Sequence, residues 1–195
     1  MTDDWPGLVL TSFLRPRHAA KRIKEWQLDV EVAFQIGTLS IVVGTMISAV
    51  FFRPDPSATS ALPFLGILAN PLLWAIVQIV IFLGSTALIV VIGRNTGGTG
   101  TFRDALGLMA WFQVVSTILS IVQTLVLLVV PILGGIVVTY FVVWVFWALS
   151  AFIAETHDFD RGWAVFGGLI VTVLVISVLL SLVAGLLGIQ PAETL

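Results

Sequence analysis

The densest run of side chains able to do chemistry is Glu155-Thr-His-Asp-Phe-Asp-Arg161. In it His157, Asp158 and Asp160 offer imidazole and carboxylate donors of the kind that hold a divalent metal. Short polar runs of this sort are more often solvated loops, so no metal ligand is assigned. A more modest expectation is that its acids pair with Arg94 and Arg103, surface contacts worth only about 0–1 kcal/mol. Those arginines bracket a glycine-rich stretch, Arg94-Asn-Thr-Gly-Gly-Thr-Gly-Thr-Phe-Arg103, whose amides could cradle an anion. It lacks the lysine-serine ending of a nucleotide loop and follows no strand, so it reads as a turn whose arginines can meet lipid headgroups.

Two further groups of residues invite a function. Arg17, Lys21, Arg22 and Lys24 concentrate positive charge near the start of the chain and are candidates for binding lipid or a protein partner. Gln78, Gln113 and Gln123, with Gln35, are polar groups inside long apolar tracts, where amides usually serve as hydrogen-bonding glue. Counted from the tract ends, Gln78 and Gln123 fall at one depth, so they are expected to bond each other or to line one small polar pocket. No ionisable group lies within the tracts, which argues against proton-coupled transport. No serine–histidine, paired-aspartate or histidine-rich motif lies there either, so no enzyme activity is expected. Nor does any residue pattern call for a cofactor. With no cysteine, disulfide and thiolate chemistry are excluded, and a net charge of −2 gives no footprint for nucleic acid.

The elements that position these residues follow from hydropathy. Hydrophobic residues make up 58% of 195, charged ones only 10%, and no water-soluble fold of this length could hide that much apolar surface. Four charge-free tracts are long enough to cross a hydrocarbon core of about 30 Å. The tract Ala105–Ala154 would make a helix of about 75 Å and must therefore fold back, with Pro131, Gly134 and Gly135 marking the turn. The expected architecture is all-α: five transmembrane helices at about 32–52, 72–92, 105–130, 135–154 and 163–189, after a segment 1–31 and before a short tail 190–195. The first span starts after a polar and basic leader and is too long for a cleaved signal. Ser40, Gly44 and Ser48 repeat every four residues along it, a seam expected within the molecule rather than between copies, although a homo-oligomer is possible.

Ahead of that span, Pro16 suits a first helical position, and Ala19, Ile23, Trp26 and Val30 recur at helical spacing away from Arg17, Lys21 and Lys24. An interfacial helix with its apolar stripe in the headgroup region is expected, in preference to one packed on the protein itself. Eight basic residues, Arg15, Arg17, Lys21, Arg22, Lys24, Arg94, Arg103 and Arg161, fall on one side of the spans and Arg53 alone on the other. That bias predicts a cytoplasmic N-terminus and an external C-terminus. Trp111, Trp147 and Trp163 are then expected at the inner boundary and Trp74 at the outer.

Together, Phe13-Leu-x-Pro16, the turn Gly97-Gly98-Thr-Gly100-Thr-Phe102, the hairpin of spans three and four, and His157-x5-Trp163-Ala-Val-Phe-Gly-Gly168 resemble the Yip (Ypt/Rab-interacting protein) domain family, its bacterial branch in particular. The resemblance implies a non-enzymatic, five-helix membrane protein without cofactor, in a bacterial cytoplasmic membrane. It also implies a scaffold or adaptor role in membrane organisation or trafficking, with lipid and protein partners. Eukaryotic relatives bind prenylated small GTPases, but their Asp-Leu-Tyr-Gly-Pro stretch has no counterpart before span one, so GTPase binding is not carried over. The competing expectation is a transporter, channel or lipid-translocating protein with a neutral polar groove among spans two to four.

Overall fold

The computed structural model describes residues 5–51, 70–160 and 162–186. The basic residues Arg53 and Arg161 and the tail 190–195 lie outside the described residues. In chain order the helices are α1 (Trp5–Leu14), α2 (Pro16–Glu25), α3 (Val30–Phe51), α4 (Pro71–Asn95), α5 (Phe102–Val129), α6 (Gly134–Thr156) and α7 (Gly162–Leu186). A 3-10 turn, Pro131–Leu133, reverses the chain between α5 and α6, where Pro131 withholds an amide donor. Helices α3 to α7 are each long and apolar enough to cross a bilayer. The protein is thus an all-α, multi-pass integral membrane protein.

Local sequence explains where the helices start and stop. Asn70 accepts from the amides of Leu72 and Leu73 while Pro71 fills the first turn of α4. Thr101 and Asp104 form a reciprocal capping box on α5. At their other ends α4 and α6 close in the same way: Gly98 N–H bonds to Gly93 O at 2.8 Å, and Phe159 N–H to Ala154 O at 2.8 Å. Each closure needs one left-handed residue, supplied by Gly97 at φ +92° and by Asp158 at φ +57°.

Helix α5 is the centre of the molecule, and every residue from Ala105 to Phe112 is buried. Helix α3 packs along α5 and α4 through two stripes of small residues. On the first stripe, a Cβ added at Gly37 would stand 2.6 Å from the Phe82 ring, so only glycine lets α4 come this close. On the second, Gly44 abuts Thr117, whose hydroxyl donates to Ser40 O at 3.2 Å. The Ser40–Gly44 seam is therefore intramolecular, while Ser48 is exposed. Helix α7 packs on α6 and, among its described side chains, buries none.

The segment before α3 departs from expectation twice. An apolar helix, α1, precedes α2 where a polar leader was expected. In α2, Pro16, Ala19, Ala20 and Ile23 are buried against α6 and α5, not turned to lipid. The stripe faces the protein because α6 and α5 end in side chains that complement it. Trp26 closes on Trp5 and Trp111 with ring centroids 5.6 and 5.9 Å apart, and Phe13 meets Trp144 at 5.3 Å. Trp111, expected in the boundary belt, is buried in this cluster and donates through Nε1 to Ser12 Oγ at 2.9 Å.

Candidate functional site

The residues singled out in the sequence converge on one end of the bundle, where α2, the α4–α5 loop and the α6–α7 loop meet. His157 is at the centre, 2% exposed. Its Nδ1 lies 3.2 Å from the amide of Gly100 and its Nε2 lies 3.0 Å from the carbonyl of Ile89. The amide can only donate and the carbonyl can only accept, so the ring is neutral with its proton on Nε2. A Cβ at Gly93, Gly98 or Gly100 would come within 2.1, 2.6 or 2.7 Å of that ring. The glycine-rich loop is therefore a mould for an imidazole rather than a cradle for phosphate.

Desolvation by burial holds the His157 pKa below its ordinary value. The Ile89 carbonyl opposes this, Arg94 and Lys24 reinforce it, and Asp158 opposes it more weakly. With both ring nitrogens engaged by backbone, His157 has no lone pair to offer a metal. Among the described residues no group of three or more metal-binding side chains forms.

Asp158 accepts from Lys24 Nζ at 2.7 Å and from Thr99 Oγ1 at 2.8 Å, and these bonds pull its pKa below the usual carboxylate range. Lys24 Nζ also donates to Glu155 O at 2.9 Å. Arg17 reaches Glu155 Oε2 at 3.4 Å and donates to the carbonyls of Phe159 and Asp160. Glu155 and Asp158 thus pair with α2, not with Arg94 and Arg103 as expected. The reason is positional: Arg17 and Lys24 are two helical turns apart, flank the buried stripe, and so overhang the loop. Arg94 instead donates to Gly100 O at 3.0 Å, and Arg103 clamps the α2–α3 turn through Gln27 O, Leu28 O and Asp29 Oδ1. Lys21 and Arg22 project outward, exposed.

The intramembrane glutamines separate. Gln78 donates to Thr45 Oγ1 on α3 at 2.9 Å, so the expected Gln78–Gln123 pair is not made. The side of α4 that carries Gln78 turns toward α3. Gln113 lines a groove of about 850 Å³, floored by α5 and α6 and walled by α4 and α7, which leave it open sideways to lipid. Neither Gln78 nor Gln123 borders it. Among the described residues its lining reaches Ile81, Gln113, Leu149 and Ile176.

Sequence reasoning missed Thr99, Gly93 and Ile89 as partners of the histidine, and no local pattern would have found them, since they meet it only in three dimensions. The capping box at Thr101-Phe-Arg-Asp104 was readable. Searches of curated proteins and of solved structures return no match. Residues 10–183 match the Yip1 domain, a stretch that takes in α2, all three inter-helix loops of this face and the histidine they enclose, and the chain belongs to that family.

Proposed function

We propose that the protein is a non-catalytic membrane adaptor that holds a rigid cationic face toward the cytoplasm for a protein or lipid partner. The observation that carries this reading is the division of labour in α2. Arg17 and Lys24 are engaged by the end of α6 and the loop after it, whereas Lys21 and Arg22 extend from the same helix into solvent. Docking fixes the helix, so the outward charges are preorganised and a partner loses less entropy on binding them. The cytoplasmic assignment rests on the eight-to-one distribution of basic residues, and a bacterial inner membrane on the family branch the motifs resemble.

The test is crosslinking in native membranes with identification of the captured species. The intact protein is expected to capture a partner that Lys21→Gln/Arg22→Gln does not. Equal capture by the double variant contradicts the reading. Reconstituted in liposomes, the protein is expected to move no solute, and flux lost on changing Gln113 would favour a transport role instead.

A further inference from the structure

The exposed faces of α6 and α7 meet the turn between α1 and α2 in a second cavity, of about 490 Å³. Its lip carries Arg15, Arg17 and His18, its wall carries Trp147, Trp163 and Phe166, and among the described residues no acidic side chain lines it. We propose that this cavity binds one anionic glycerophospholipid of the leaflet it faces, with the phosphate at Arg15 and His18 and the start of an acyl chain along the aromatic wall.

Three observations favour a lipid over other occupants. The first is charge: Glu155 balances Arg17, but Arg15 and His18 make no ion pair or side-chain hydrogen bond among the described residues, leaving net positive character at the lip. The second is the wall, where Trp163 is 74% exposed, Trp147 44% and Phe166 40%. Indole and phenyl faces left this bare beside cations are the chemistry of the boundary between headgroups and hydrocarbon. A soluble anion would leave them uncovered. The third is level. Helix α6 has 23 residues, about 35 Å against a core of about 30 Å, so about 5 Å extends past the hydrocarbon. The polar end Glu155–His157 is the end that extends, which sets Ser150, another residue of this cavity, near the bilayer edge.

The proposal needs the protein to be embedded in lipid but does not need the adaptor role, and the test separates them. Purified protein is titrated with phosphatidylglycerol and with phosphatidylcholine in neutral detergent and the retained lipid is read by native mass spectrometry. Retention of phosphatidylglycerol is expected to exceed that of phosphatidylcholine by about fivefold, one near-surface arginine being worth about that much. Arg15→Gln is expected to lower it about fivefold, while Arg15→Lys retains it and inorganic phosphate does not compete. Three results would each overturn the proposal: no headgroup preference, competition by phosphate, or retention unchanged in Arg15→Gln.

Discussion

At the scale of residues, a single imidazole organises the basic face. Because Gly100 is tight against both the His157 ring and the Thr156 carbonyl, Gly100→Ala has no room that a side-chain shift alone can provide. It is expected to cost about 1–3 kcal/mol, the usual penalty for overpacking, and to lower the melting temperature in detergent. Gly84→Ala, where an added Cβ meets nothing within 4 Å, should leave that temperature unchanged or slightly raised. Acid acts on the same residue. The unfolded chain takes up a proton near the ordinary pKa of 6.5, whereas the folded chain does so only at lower pH. The stability His157 contributes is therefore complete above 6.5 and declines as pH falls from there toward the folded pKa. Melting curves from about pH 8 to about pH 5 should show that decline, and His157→Gln should lack it. Protonation would also set a cation beside Arg94 and Lys24, with Asp158 alone to offset them. In the sequence His157 looked like a possible ligand and the glycines like a turn. Each reading was reasonable locally, and neither could reveal that one fills the space left by the other.

At the scale of elements, rotation was not legible. Counting residues from a tract's end suggests the level of a side chain, but helices that are apolar all round carry no stripe to say which neighbour they face. That is why Gln78 was given the wrong partner. A double-mutant cycle on Gln78→Leu and Thr45→Val should give a coupling of about 0.6 kcal/mol, within the range for such bonds in membranes. Gln78→Leu with Gln123→Leu should show none. In α2 the stripe itself was legible from Ala19 and Ile23, and what lay opposite it was not, because an amphipathic helix reads the same whether its partner is lipid or protein. Helix α1 escaped notice for a related reason: Trp5–Leu14 is too short to span a bilayer and has no cap that hydropathy would register.

At the scale of the molecule, the number of spans and the all-helical class were legible because only helices satisfy their own backbone in oil. Five spans predict chain ends on opposite sides, so a reporter after Leu195 and one before Met1 are expected to answer to opposite compartments. The rigidity of the cationic face depends on α2 being fastened to the α6–α7 loop. Zero-length carbodiimide coupling of the unaltered protein in its membrane, read by peptide mass spectrometry, measures that directly, since it joins an amine to a carboxylate only where they touch. An amide between Lys24 and Asp158 is predicted. Its absence, with Lys24 free or joined elsewhere, would contradict the docked arrangement.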